Sequence, residues 1–115
     1  TLTEFSADGF FGNIALADRI LGDIRLAMER AGTWESTAVI VTADHVAQFR
    51  PRWLREPRDT RVPLIVKLPG QPTANVTYGA PLQAQVVNGL SRALLRGQLP
   101  NYDALVRWLD ARRRN

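Results

Sequence analysis

The run Thr37-Ala-Val-Ile-Val-Thr-Ala-Asp-His45 constrains this chain more than any other stretch. Ala38 to Val41 form a short continuous apolar run rich in β-branched residues. Such a run reads as a strand buried on both faces, the pattern of a parallel sheet beneath helices. It ends in Asp44 beside His45, the one histidine of the sequence. Ligands of open α/β sheets collect beyond the carboxyl ends of the strands, so the pair is expected at such an end. A carboxylate and an imidazole offer an oxygen and a nitrogen to Zn²⁺ or a similar divalent ion, and a complete site takes three or four ligands. The competing role is local, because an Asp after a strand can also close a turn or cap the next element through its backbone hydrogen bonds.

The rest of the chain supplies helices around that strand. Residues 13–31 carry the clearest helical signal. Ile14, Ala17, Leu21, Ile24 and Met28 recur at three- and four-residue spacing, widened by Ile20 and Ala27. That stripe is expected to be core, with Asn13 as N-cap and Gly32 as the C′ stop. Residues 1–12, with Gly9-Phe-Phe-Gly12, read as an arm whose aromatics pack on the body. Trp34 reads as a plug over the helix end. Val62-Pro-Leu-Ile-Val-Lys-Leu68 is a second strand, with Pro63 tolerated near its start and Pro69-Gly70 ending it. Residues 71–79 read as loop, with a short extended piece over 75–78. A second helix is expected to open at Ala80-Pro81 and to end at Gly97, and a third to be capped by Asn101. Two strands make a poor independent sheet. The expected fold class is therefore α/β: a partial mixed sheet with flanking helices, in the order helix-strand-strand-helix-helix, forming one partial domain over 1–115.

Composition bounds the function classes. A chain of 115 residues is one domain at most. The lack of cysteine removes disulfides, thiolate metal sites and a cysteine nucleophile. No window is apolar for long enough to cross a membrane, and no signal-peptide pattern opens the sequence. Fifteen Lys+Arg against eleven Asp+Glu leave a net charge of +4, and only Lys67 is a lysine. Arginine forks suit planar carboxylate, phosphate and sulfate groups. Arg50, Arg52, Arg55 and Arg58 stand in a loop, Phe49 to Thr60, that leaves the proposed site, and they are candidates to face a bound anion. The Arg112-Arg113-Arg114 tail reads as a solvated, fraying end. No phosphate-binding glycine loop and no Gly-x-Ser-x-Gly elbow occurs. The last two helices, joined over 97–100, are the one helix-turn-helix-like feature, where Arg92, Arg96, Arg107 and Arg112 could meet phosphate; the second helix of that pair offers few base-reading side chains, so no nucleic-acid role is expected.

Three linked blocks carry a resemblance: Asn13-Ile-Ala-Leu-Ala-Asp-Arg-Ile-Leu-Gly22, Ala31-Gly-Thr-Trp-Glu-Ser-Thr-Ala-Val-Ile-Val-Thr-Ala-Asp-His45 and Arg61-Val-Pro-Leu-Ile-Val-Lys-Leu-Pro-Gly70. In order and content they resemble the C-terminal part of a sulfatase-type catalytic domain of the alkaline phosphatase superfamily, over about half the chain. The resemblance implies a mixed sheet with helices on both faces. It also implies a divalent metal (Zn, Ca, Mg or Mn) that polarises a sulfate or phosphate ester, with Asp44 and His45 as paired metal ligands. Hydrolysis of such esters, or transfer of phosphate-linked head groups, is the implied chemistry. The family's nucleophile and other metal ligands lie upstream of these blocks, and Val46 stands where a glycine usually follows Asp-His. The expectation is a fragment that contributes two ligands, has no catalytic residue of its own and is inactive alone. Its partners would be the missing upstream half and an anionic ester. The resemblance suits a periplasmic, secreted or membrane-anchored parent, and the compartment stays open. The alternatives are a non-catalytic basic interaction module and a self-associating relative whose open sheet edge pairs with a second copy.

Overall fold

A computed structural model of the chain describes residues 7–46, 59–72 and 75–113. The elements follow as α1 (Ala7–Arg30), β1 (Val39–Thr42), β2 (Leu64–Lys67), α2 (Val86–Leu95) and α3 (Tyr102–Asp110). The order and the α/β character agree with expectation. By its contacts the chain divides into two units, Thr1–Trp34 with Ile40–Val66, and Glu35–Val39 with Lys67–Asn115.

The helix ends follow local chemistry. At the end of α1, Gly32 takes φ +72°. Its amide donates to the Glu29 carbonyl at 3.1 Å, and the Thr33 amide to the Met28 carbonyl at 2.9 Å. At the end of α2, Gly97 takes φ +68°. Its amide reaches Leu94 O at 3.1 Å, and that of Gln98 reaches Ala93 O at 3.0 Å. Both are Schellman ends, where a glycine in the left-handed region lets orphan carbonyls be satisfied. At the start of α3 the Asn101 side chain accepts from the Ala104 amide at 2.8 Å, as an N-cap does.

Two helix starts differ from expectation. α1 already includes Ala7, so Gly9-Phe-Phe-Gly12 is helix rather than arm, and Asn13 is not a cap. Phe10 continues the stripe one step upstream of Ile14, and that continuation outweighs the two glycines. α2 begins at Val86, five residues after Pro81. Residues 82–85 offer no Ser, Thr, Asp or Asn as a cap. The entry is instead a tight turn, with Val86, Val87 and Asn88 amides donating three residues back.

β1 and β2 hydrogen-bond to one another as a two-stranded sheet. The pair is antiparallel. The end of β2 lies beside the start of β1: Lys67 Nζ donates to Thr37 O at 2.9 Å, and the Gly70 amide to Glu35 O at 2.7 Å. A doubly buried parallel strand is therefore not what β1 forms. It is half-buried, and Thr42 is exposed. In β2, Leu64 and Val66 are half-buried while Ile65 between them is 60% exposed. That alternation is the mark of a sheet covered on one face only. Residues 75–79 are described without a strand.

Among the described residues the buried hydrophobics, Leu68, Leu90, Ala93, Leu99, Leu105 and Leu109, all belong to the second unit. They line the end of β2 and one face each of α2 and α3. Tyr102 Oη accepts from the Leu68 amide at 3.2 Å, which ties α3 to the strand end. Tyr78 donates to Asp110 Oδ1 at 2.8 Å. Its hydroxyl is pushed above its ordinary range by desolvation first and then by the Asp110 carboxylate.

The α1 stripe is not core. Ile14, Ile20 and Ile24 are each 50% exposed and Ala17 is exposed, with only Phe10, Leu21 and Met28 half-buried. Periodicity determines which residues share a helix face, not whether anything lies over that face. Phe11 is exposed too, and touches the Phe10 ring edge-on at 5.6 Å. Trp34 is half-buried, with the Arg25 guanidinium 5.3 Å from its ring centroid.

Candidate metal-ligand pair at the end of β1

Asp44 and His45 lie two and three residues past Thr42, where β1 ends. Both face solvent: the His45 side chain is 62% exposed and that of Asp44 87%. The two Asp44 oxygens do different things. Oδ1 accepts from the His45 amide at 2.9 Å. This is the local, turn-closing role. Oδ2 points toward the imidazole and stands 3.6 Å from His45 Nε2, too far for a hydrogen bond.

The other ring nitrogen has a backbone partner. His45 Nδ1 lies 2.8 Å from the Val46 carbonyl oxygen. A carbonyl only accepts, so this contact is a hydrogen bond when Nδ1 carries the hydrogen, and in that tautomer the lone pair is at Nε2. A backbone carbonyl on the far nitrogen is the usual way a metal-binding histidine is oriented. Nε2 and Oδ2 therefore offer two lone pairs across a gap of 3.6 Å. Two ligand bonds of about 2.0–2.1 Å meeting at about 120° span that distance, so the separation is compatible with two ligands of one Zn²⁺-like ion. Two such groups fall short of the three or four ligands that a complete site takes. Among the described residues no group of three or more His, Asp or Glu side chains comes together.

Arg50, Arg52, Arg55 and Arg58 lie outside the described residues. Arg61, the described end of that basic stretch, is taken up by Asp59. Its Nη2 lies 2.6 Å from Oδ2, and its Nε 2.9 Å from Oδ1. The Asp59 carboxyl is lowered to about 2 from an ordinary 3.8, first by the side-chain hydrogen bonds of Arg61 and then by its backbone amide. A depressed carboxyl contributes stability that is fully present above its ordinary value and is lost as pH falls through about 2. Both groups are solvated, so the contribution to stability is small and the titration itself is the readout. In a carboxyl-carbon NMR titration Asp59 is expected to have its midpoint near 2, and Arg61→Ala to return it toward 3.8. An Asp59 midpoint unchanged by that substitution refutes the pairing.

The Val46 carbonyl that orients the imidazole left no mark in the sequence, because any residue supplies one. No known protein family, characterised protein or solved structure matches this chain.

Proposed function

We propose that this chain supplies part of the metal site of a sulfatase-type or related phosphoesterase domain, with Asp44 and His45 as ligands to a divalent cation. The observation that carries the reading is the orientation of His45. Its Nδ1 is tied to the Val46 carbonyl at 2.8 Å, which leaves Nε2 open beside Asp44 Oδ2. The sequence resemblance across residues 13–70 supports the same assignment. When bound, the cation supplies Lewis-acid polarisation of a sulfate or phosphate ester oxygen. The chain's own part is to present one carboxylate oxygen and one imidazole nitrogen at a strand end. The nucleophile and remaining ligands come from residues outside this chain, in the parent protein, and the chain alone does not turn over.

Two ligands hold a metal weakly, so the test reads the histidine directly. In NMR titrations with Zn²⁺, the His45 Nε2 resonance is expected to shift strongly while Nδ1 moves little. Asp44→Ala is expected to weaken the response by about tenfold or more, the usual scale for losing a ligand or its immediate support. A His45 ring that ignores Zn²⁺, Mg²⁺ and Ca²⁺ alike, or one whose response survives Asp44→Ala intact, defeats the proposal. Salt-sensitive polyanion binding with no metal response would instead support the non-catalytic basic module.

A further inference from the structure

Asn75-Val-Thr77 has the form Asn-x-Ser/Thr with a middle residue other than proline, the acceptor pattern for N-linked glycosylation. It is the one such triplet in the sequence, since Ala15, Leu90 and Asp103 stand two residues after Asn13, Asn88 and Asn101. An acceptor asparagine belongs on a surface loop, because the transferase has to reach both the amide and the hydroxyl two residues on. The fold meets that demand here. Asn75, Val76 and Thr77 are all exposed, and none of them lies in a helix or strand. None belongs to the buried set of Leu68, Leu90, Ala93, Leu99, Leu105 and Leu109. The loop is fastened one residue later, where Tyr78 donates to Asp110 Oδ1 at 2.8 Å. Drawing residues 75–77 into an enzyme therefore breaks no helix or strand and moves no buried leucine. Asn101 is the contrast, with its side chain committed to the Ala104 amide as a helix cap.

We propose that Asn75 is an N-glycosylation site, modified from an oligosaccharide carried on a lipid diphosphate. Asn75 Nδ2 bonds to the anomeric carbon of the first sugar while the bond from that carbon to the diphosphate oxygen breaks. The lipid diphosphate leaves, and one amide proton passes to a base of the transferase. The Thr77 hydroxyl is read by the transferase and is not consumed. A glycan is bulky and solubilising, and this one is attached beside Val76, a 58% exposed apolar side chain, so it covers open surface and displaces no core. The site is independent of Asp44 and His45. It bears on the compartment, because an occupied acceptor of this type belongs to a secreted protein.

Transfer onto the folded chain tests the site. Incubated with a purified oligosaccharyltransferase and its lipid-linked donor, the chain is expected to gain the mass of one glycan, placed on Asn75 by tandem mass spectrometry. Asn75→Gln and Thr77→Ala are each expected to abolish the gain, and Thr77→Ser to retain it. A generic acceptor peptide in the same reaction checks the enzyme, and circular dichroism checks that each variant is folded. The urea midpoint of the glycosylated chain is expected to match that of the unmodified one. A folded chain that gains no glycan while the peptide does overturns the proposal. So does a gain that survives Asn75→Gln, a Thr77→Ser chain as inert as Thr77→Ala, or a glycosylated chain that no longer folds.

Discussion

Leu90→Ala is expected to destabilise the chain by about 2–5 kcal/mol, the range for deleting a fully buried leucine side chain into a residual cavity. Leu90 is 0% exposed and sits on the buried face of α2. It shares its unit with the other buried hydrophobics, Leu68, Ala93, Leu99, Leu105 and Leu109. A core that small has few neighbours able to collapse into the space, which argues for the upper half of the range. Against a usual total of about 5–15 kcal/mol, the loss is a large share of what holds a small domain together. Urea unfolding followed by helix signal measures it. Leu95 is the internal control, because the same helix leaves it 88% exposed. Leu95→Ala is expected to stay within about 0.5 kcal/mol. Equal effects of the two substitutions would mean that the buried face of α2 is not the one described.

What the sequence revealed follows the range of the physics involved. Gly32, Gly97 and Asn101 were legible because a C′ glycine and an N-cap asparagine act through backbone groups a few residues away. The positions of β1 and β2 were legible for a similar reason: short β-branched runs have few other uses. The orientation of the pair was not. A continuous apolar run suggests cover on both faces, but the run cannot supply that cover. Here Ile65 is exposed between two half-buried neighbours. α1 makes the same point more sharply, since its stripe is well patterned and still largely open.

The candidate pair, Asp44 and His45, divides along the same line. That Asp44 and His45 stand past a strand end could be read from the order of residues. That one Asp44 oxygen is spent on the His45 amide, and that Val46 O leaves Nε2 as the free nitrogen, could not. These are consequences of how the backbone turns after Thr42. They matter for chemistry, because a histidine with the other tautomer would present N–H, not a lone pair, toward the gap.

Gly89→Ala tests a close approach between α2 and α3. A Cβ built on Gly89 would stand 3.3 Å from both Cη2 and Cζ2 of Trp108. Two terms oppose each other. Alanine inside a helix is favoured over glycine by about 0.8–1 kcal/mol. Overpacking a close contact costs about 1–3 kcal/mol. The ring decides the balance. An indole is a rigid plate, and the Arg112 guanidinium lies 3.7 Å from its centroid while donating to the Trp108 carbonyl at 2.9 Å. The contact is therefore stiffer than one to the far end of a flexible side chain. The net expectation is destabilisation of about 1 kcal/mol, despite the gain in helix propensity. Trp108→Leu removes the plate and reverses the sign: in that background Gly89→Ala is expected to stabilise by up to about 1 kcal/mol. The coupling between the two substitutions, read from a double-mutant cycle in urea, is therefore expected near 2 kcal/mol. A coupling near zero would show that the indole does not limit the approach, and that the glycine is there for some reason other than room.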